Sequence, residues 1–230
     1  MQTYTMPEWV ESRVLRRRGR RFAHESIDAA RAALVVVDMQ NHFVAPGFPA
    51  EIAAARDIVP NINRMARAMR DAGGAVVWIQ TTATGALEHW ANHHRFDLSA
   101  QRAKDRLASL AEDSEGFRLY PSLQPLQDDL RARKVTYSAF IRGSSDLDAR
   151  LRSRGIESLL IAGTATNVCC ESNARDAMML DYRVVMLSDA TAANTLEEHV
   201  ASLNTVALYF ADVMTVDEAR QRVVPVTAVA

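Results

Sequence analysis

Hydrophobic positions along the chain fall into two alternating patterns. The first is a short, continuous apolar run rich in β-branched residues, which is typical of parallel strands buried on both faces. Such runs occur at Ala33–Val37, Ala75–Gln80 and Ser158–Ala162. Two further strands are predicted at Arg183–Leu187 and near Val213–Val216.

In the second pattern, apolar residues recur every three or four positions, which indicates amphipathic helices. The predicted helices cover Val59–Ala72, Asp146–Arg154, Val168–Leu180 and Leu196–Phe210, and glycine directly follows the first two. Strands that alternate with helices through short connections predict a parallel sheet covered on both faces. The expected fold class is therefore α/β, with three layers in the order α/β/α.

The pattern is least regular between Thr81 and Gln127, a segment with three histidines and one tryptophan. Ligands of open α/β sheets bind beyond the carboxyl ends of the strands, so this segment is a candidate lid or wall of a site. No repeat or flexible linker divides the chain. We expect one domain over residues 31–222, an N-terminal arm over 1–30 and a C-terminal tail over 223–230.

Charge changes this picture little. The chain has 27 Lys and Arg against 28 Asp and Glu, a formal net charge of -1, which creates no field that attracts nucleic acid or an anionic membrane. No apolar run approaches the roughly 20 residues that span a bilayer. The exception is the arginine run Arg16–Arg21. We interpret it as a solvated arm that contacts another subunit or frays, rather than a nucleic-acid-binding or targeting segment.

The cysteine pattern indicates the compartment. Only Cys169 and Cys170 are present, and they are adjacent. A disulfide between neighbours is strained and closes almost no loop, so a secreted disulfide framework is excluded. No signal-peptide pattern opens the sequence. We therefore expect a protein of the reducing cytoplasm.

Three residues suited to hydrolytic chemistry stand at predicted strand ends. Asp38 follows the first strand, Lys134 begins the segment Lys134–Phe140, and Cys169 lies where a strand gives way to a helix. A helix N-terminus and a nearby lysine lower a thiol pKa, and an aspartate can carry the proton to a leaving amine. Singly, each has an ordinary alternative as a turn residue, a solvated lysine or a core thiol. Cys170 is expected to pack in the core, since only one of two neighbours can face a site.

Together, three ordered stretches resemble the isochorismatase-like cysteine hydrolases. The resemblance covers roughly Ala33 to Ala219. The stretches that carry it are Ala33–Asn41, Lys134–Phe140 and Gly163–Ser172. It implies a six-stranded parallel sheet of Rossmann-like topology, a homo-oligomer (dimer or tetramer), and a catalytic triad of Asp38, Lys134 and Cys169.

The resemblance also implies details of the mechanism. A cis peptide bond is expected between Thr164 and Ala165, so that the N–H groups of Ala165 and Cys169 form an oxyanion hole. Cys169 would attack a small amide, ureido or carbamoyl substrate and form a thioester, which water then hydrolyses. The segments resemble most closely the branch that acts on ureidoacrylate, biuret or N-carbamoyl amino acids. The alternatives are a vinyl ether hydrolase, which needs no thiol, and a silent member that acts as a scaffold.

A metal is not expected. Nicotinamidase-like members carry an Asp-x-His metal motif after the second strand, where this chain reads Gln80–Thr84 without such ligands. His89 and His93 are four residues apart and could form a metal pair, but no third ligand stands at a clear spacing. We therefore expect neither a metal nor a cofactor.

Substrate-binding candidates are residues near the motifs in sequence. They are Gln40, Asn41, Phe43, Trp78, Trp90, Tyr137, Phe140 and Asn167. Several have a structural alternative, because Asn167 can cap a helix and Phe140 or Trp78 can be plain core. Glu171 and Arg142 each have two interpretations. Glu171 lies near the site or only complements a helix dipole, and Arg142 binds a substrate carboxylate or lies on the surface.

Overall fold

A computed structural model describes residues 2–226. Six strands form one parallel sheet. The strands are β1 (Ala32–Val37), β2 (Ala75–Thr81), β3 (Leu130–Lys134), β4 (Ser158–Thr164), β5 (Arg183–Ala192) and β6 (Asp212–Met214). Their order across the sheet is β3-β2-β1-β4-β5-β6. The order reverses between β1 and β4, whose residues pair from Ala32 opposite Ser158 to Val37 opposite Gly163. Ligands of doubly wound folds bind at such a switch point.

Helices complete the layers on both faces of the sheet. They are α1 (Glu8–Arg18), α2 (Asn41–Val44), α3 (Val59–Asp71), α4 (Ala86–His89), α5 (Ala100–Ser109), α6 (Leu147–Arg152), α7 (Glu171–Met179), α8 (Leu196–Tyr209) and α9 (Val216–Arg220). One π-helical turn, His93–Asp97, lies in the segment that follows β2. A second, Thr166–Cys170, lies at the carboxyl edge of the sheet, directly after β4. Among helices of residues 2–226, none combines the length and apolar character that crossing a membrane requires.

Side chains of alternate residues in the central strands pack into two separate hydrophobic cores. Val35 and Val37 pack with residues of α1, α6, α7 and α8 on one face of the sheet. Leu34 and Val36 pack with residues of α3 and α9 on the other. Complete burial of one such side chain stabilises the fold by about 1.5–3 kcal/mol. The predicted α/β/α architecture with six parallel strands is confirmed.

The structure adds elements that the pattern did not predict. The strand Leu130–Lys134 has the sequence LRARK, whose charged side chains alternate with buried ones because β3 is an edge strand. β5 continues to Ala192, beyond the predicted end at Leu187. The predicted helix Val168–Leu180 is divided into the π-helical turn and α7.

The N-terminal arm is bound to its own chain. Val10 and Val14 of α1 are buried in the first core, and the guanidinium groups of Arg17 and Arg18 donate to carbonyl oxygens at the C-terminal end of α8. Unpaired carbonyls at a helix end favour such cationic donors. Arg17 and Arg18 are therefore fixed on the chain's own α8 rather than frayed, and contact of the arginine run with another subunit stays a prediction.

The tail also joins the fold. Ile27 and Asp28 form a short parallel ladder with Val223 and Val224, so residues expected in the arm and the tail pair with each other. Arm and tail therefore pack as parts of the domain over the described residues. Residues 227–230 of the expected tail lie outside that range.

Candidate active site

The chain brings Asp38, Lys134 and Cys169 together at the carboxyl edge of the sheet. Asp38 follows β1 with a left-handed φ of 52°, Lys134 ends β3, and Cys169 lies in the π-helical turn after β4. Lys134 Nζ lies 2.8 Å from Asp38 Oδ2 and 3.6 Å from Cys169 Sγ. All three side chains are buried, with 0% of Asp38, 1% of Lys134 and 7% of Cys169 exposed.

Further hydrogen bonds fix this buried ion pair. Lys134 Nζ donates to Thr81 Oγ1 at 2.7 Å and to the carbonyl oxygen of Thr136 at 3.0 Å. The Thr81 hydroxyl in turn donates to Asp38 Oδ1 at 2.9 Å. A buried ion pair is tolerated when additional hydrogen bonds satisfy both charges. Thr81, which ends β2, is a site residue that the sequence motifs did not reveal.

The electrostatics of the thiol differ from the sequence-based expectation. Burial raises the pKa of Cys169 to about 12; the charge of Lys134 lowers it, and the charge and hydrogen bonding of Asp38 raise it further. Burial opposes the charged form of Lys134, but the charges of Asp38 and Cys169 outweigh this and raise its pKa. The cysteine is therefore a neutral thiol at rest, rather than a preformed thiolate, and needs a base to take its proton.

Hydrogen bonds of Asn173 fix the nucleophile turn, the π-helical turn Thr166–Cys170 that carries Cys169. Its Nδ2 donates to the carbonyl oxygen of Cys169 at 2.6 Å and to that of Tyr137 at 3.2 Å. Its Oδ1 accepts from the N–H of Ala139 at 2.9 Å. Asn173 thus joins the turn that carries Cys169 to the segment after β3. The signal available in the sequence was its position, four residues after Cys169 on the same predicted helix.

A second polar group supports the turn from α8. Thr166 Oγ1 lies 2.9 Å from His199 Nδ1, and the Ser202 hydroxyl donates to the carbonyl oxygen of Thr166 and to Glu171 Oε2. Burial lowers the pKa of His199 to about 4, so the imidazole is neutral at pH 7. Glu171 also binds Arg175, and its role therefore extends beyond complementing a helix dipole.

The close approach of β1 and β4 requires glycine at position 163. Gly163 has a φ of 112°, and a Cβ there would lie 2.1 Å from the carbonyl oxygen of Val37. The following Thr164–Ala165 peptide bond is cis, as the family resemblance implied. Gly163 thus lets the end of β4 pass close to Val37 of β1, and the Thr166–Cys170 turn follows directly after β4.

Three aromatic substrate candidates lie in the core instead. Trp78 is fully buried, belongs to the core beside α3, and donates from Nε1 to Asp129 Oδ2 at 2.7 Å. Phe43 packs in the same core. Phe140 belongs to the opposite core, where its ring contacts Tyr182. Proximity in sequence was misleading here, because alternate residues of a strand and its flanks face away from the sheet edge.

Two polar candidates are likewise occupied elsewhere. Gln40 is fully buried and exchanges hydrogen bonds with the backbone N–H and carbonyl of Thr81, while its Nε2 also donates to Phe117 O. Asn41 donates from Nδ2 to the backbone and side chain of Glu115. Both residues fasten loops around the site through these hydrogen bonds, and their role as substrate ligands stays a prediction.

The remaining candidates lie outside the two hydrophobic cores. Trp90 stacks on His93 with ring centroids 3.9 Å apart and meets Tyr137 edge-on at 4.7 Å. Tyr137 lies near enough to Cys169 for the thiol's charge to affect its pKa, which burial raises. Asn167 lies in the nucleophile turn, and its buried Oδ1 has no hydrogen-bond partner among residues 2–226. These side chains form an aromatic and amide wall beside the triad.

His89 and His93, which were considered as a possible metal pair, lie in different surroundings. His93 stacks on Trp90 and lies 3.3 Å from Asp97 Oδ2, whereas His89 is exposed. Within residues 2–226, no group of three or more His, Cys, Asp or Glu side chains could hold a metal ion.

The sheet order and the buried thiol, carboxylate and ammonium at its switch point are those of an α/β cysteine hydrolase. A family model described as the isochorismatase domain matches residues 32–218, and the chain belongs to this family. Ureidoacrylate amidohydrolase RutB of Variovorax paradoxus (strain S110) is 36% identical over 219 residues, which cover 88% of this chain and 85% of that protein.

Solved structures agree with this assignment. A cysteine hydrolase from Pseudomonas syringae pv. phaseolicola 1448A is 30% identical and superposes with a TM-score of 0.73, over 85% of this chain and 93% of that one. An isochorismatase-like hydrolase from Alkaliphilus metalliredigens is 31% identical, with a TM-score of 0.68 over 84% of this chain and 97% of that one. The expected family resemblance is confirmed.

Proposed function

We propose that this protein is a cysteine-dependent amidohydrolase that cleaves a C–N bond of a small amide, ureido or carbamoyl substrate. The observation that carries the proposal is the contact of Lys134 Nζ with both Asp38 Oδ2, at 2.8 Å, and Cys169 Sγ, at 3.6 Å. A nucleophile, a base and a fixed positive charge thus lie within reach of one reacting atom.

In the proposed first step, Asp38 removes the proton from the Cys169 thiol as Sγ attacks the carbonyl carbon. The neutral resting thiol supports this order, because its raised pKa leaves the proton in place until a base accepts it. The N–H groups of Ala165 and Cys169 are assigned to the developing oxyanion. Each such donor contributes about 3–4 kcal/mol in comparable sites.

The second half of the cycle uses the same groups. The tetrahedral intermediate collapses as Asp38 gives its proton to the departing nitrogen, which breaks the C–N bond and leaves an acyl or carbamoyl thioester on Cys169. Asp38 then takes a proton from water as the water oxygen attacks the thioester carbon. The C–S bond breaks, the acid or carbamic acid leaves, and Asp38 returns the proton to Cys169 Sγ. Lys134 keeps a positive charge beside Asp38 and Cys169 throughout, and this charge attracts the negative charge that develops there during the reaction.

Two observations support the proposed substrate class: the residues assigned to the site wall, and the similarity to the Variovorax paradoxus amidohydrolase. A Cys nucleophile suits C–N hydrolysis, and the amidohydrolase of Variovorax paradoxus acts on ureidoacrylate by name. Trp90, Tyr137 and Asn167 are assigned to the substrate wall on the basis of their positions beside Cys169. A compact ureido or carbamoyl compound fits a site whose nucleophile is only 7% exposed.

Ammonia release from a panel of compounds tests the proposal. The panel holds ureidoacrylate, biuret, N-carbamoyl amino acids, nicotinamide and small aliphatic amides. Turnover of a ureido or carbamoyl compound, with a mass increase on Cys169 in quenched samples, is the expected result. No release from any of them, or cleavage of a vinyl ether such as isochorismate instead, would overturn it.

Location and assembly belong to the same proposal. A reducing cytoplasm suits the two free cysteines. A homo-oligomer is supported by large apolar side chains exposed in segments near the site, with Leu87 54% and Phe96 79% exposed. Size-exclusion chromatography with light scattering would test the assembly, and a monomer at micromolar concentration would contradict it.

A further inference from the structure

A positive charge that the proposed mechanism does not use lies beside the site. Arg106 belongs to α5, in the segment that sequence patterns left irregular. Its side chain is partly buried, yet it makes no hydrogen bond, ion pair or ring contact with any residue from 2 to 226. Partly buried guanidinium groups are ordinarily paired, because desolvation of a lone charge is costly.

Arg106 lines a cavity of about 500 Å³ next to α5. Arg102, Asp105 and His42 share its wall. Asp105 is engaged by Gln101, whose Nε2 donates to it at 2.7 Å. Arg102 is exposed to solvent, so Arg106 is the more shielded of the two cations.

His42 supplies an independent sign of a ligand at this place. It is 1% exposed, and its Nε2 is buried with no hydrogen-bond partner among the described residues. Its Nδ1 lies 2.9 Å from Ser109 Oγ, one helical turn after Arg106. This contact fixes α5 against the chain that leaves β1 and so fixes Arg106 relative to Asp38.

The charge of Arg106 also reaches the reacting groups. Burial is the main cause of the raised pKa of Cys169, and the positive charge of Arg106 acts against it. The same opposition applies to Tyr137. Arg106 therefore lies within electrostatic reach of the thiol and the aromatic wall, and it borders the cavity at the same time.

We infer that Arg106 binds a carboxylate at the far end of the substrate, which makes the preferred substrate class an N-carbamoyl or ureido acid rather than a neutral urea or amide. This inference rests on the proposed function and deepens it. The guanidinium is planar and binds carboxylate with two parallel hydrogen bonds. It also takes over the role considered for Arg142, which is exposed.

The test compares ureidoacrylate with its methyl ester, which has nearly the same shape and no negative charge. In Arg106→Gln, we expect KM for ureidoacrylate to rise at least about tenfold while KM for the ester changes less than about twofold. Arg106→Lys should recover part of the loss, because it keeps the charge without the planar fork. Lys104→Gln is the matched control, since Lys104 is an exposed cation on the same helix that does not line the cavity, and both KM values should stay within about twofold.

Equal losses on acid and ester, or the same effect from Lys104→Gln, would overturn the inference. Thermal unfolding of each variant checks that the fold is retained. Binding to Cys169→Ala protein, measured by calorimetry, separates this inference from the proposed function. If the wild type hydrolyses neither compound, the proposed function fails, whereas loss of ureidoacrylate binding in Cys169→Ala/Arg106→Gln would still support Arg106. Unchanged binding there would refute it.

Discussion

Among the described residues, Asp212 and Asp38 are buried carboxylates that each pair with a cation, at opposite edges of one sheet, and their surroundings differ. At the amino edge, Asp212 Oδ1 contacts Arg18 Nη1 at 2.5 Å, and its two oxygens also accept from the backbone N–H groups of Ala23 and His24. At the carboxyl edge, Asp38 binds Lys134 and the Thr81 hydroxyl.

The partners of each pair decide what it can do. Asp212 accepts hydrogen bonds from the Arg18 guanidinium and two backbone N–H groups, and Arg18 gives its other N–H groups to the carbonyls of Ala207 and Ala211. That pair can only hold the arm in place. Asp38 instead lies beside the Cys169 thiol, a group that can lose its proton. A buried ion pair becomes chemically useful when one neighbour can exchange a proton with it.

The largest expected effect on kcat/KM comes from removal of the Cys169 thiol at the carboxyl edge. Cys169→Ala should lower kcat/KM by at least about a thousandfold, because no other group there can form the thioester. Cys170→Ala is the matched control. Cys170 is fully buried beside it in the same core, so its loss should leave kcat/KM within about threefold. Ammonia release measures both, and comparable activity in the two variants would contradict the assignment.

The next effect tests whether Lys134 serves stability and chemistry together. Lys134→Met leaves the Asp38 carboxylate buried without its counter-charge, and removal of one partner from a buried pair costs about 3–5 kcal/mol. We expect this loss in the free energy of unfolding by urea, together with loss of turnover.

A second variant shows where that loss comes from. Asp38→Asn added to Lys134→Met removes the unpaired charge, so stability should return in large part and turnover should not. If Lys134→Met is as stable as the wild type, the buried pair does not carry the stability attributed to it.

The corresponding substitution at the amino edge should lower the free energy of unfolding by a smaller amount and leave catalysis unchanged. Arg18→Gln leaves Asp212 with its two backbone donors, so the expected loss is about 1–3 kcal/mol. kcat/KM should not change. Arg16→Gln is the control, since Arg16 is exposed and should alter stability by less than about 0.5 kcal/mol. A large fall in kcat/KM for Arg18→Gln would show that the two edges are coupled.

The carboxyl edge was the more predictable of the two. Asp38 and Cys169 follow strands that the apolar pattern predicts, and such residues meet at one edge of a parallel sheet. Lys134 was identified from the family resemblance, because the edge strand that it ends has no apolar run. The docking of Arg18 on Asp212 joins residues 194 positions apart, and no local pattern encodes a contact of that separation. Arg106 was missed for a related reason, because its helix lies in a segment whose packing against His42 depends on the finished fold.

α8 connects the two edges, and its first turn gives the smallest expected effect. His199 lies there beside Thr166, and burial lowers its pKa from 6.5 to about 4. Below pH 6.5 the unfolded chain therefore binds a proton that the folded chain does not. Stability is complete above that pH and falls as the pH drops toward 4, with a slope of up to about 1.4 kcal/mol per pH unit for one histidine.

Variants are needed to isolate this contribution, because the pKa values of His24, His42 and His93 are lowered as well, with burial the main cause in each. His199→Gln keeps a hydrogen-bonding side chain beside Thr166 and should flatten the fall in unfolding free energy between pH 6.5 and 4.5. The exposed His89→Gln is the control and should leave the slope unchanged. An unaltered slope in His199→Gln would mean that the buried imidazole takes up its proton as readily as in the unfolded chain, and the start of α8 would then be open to water.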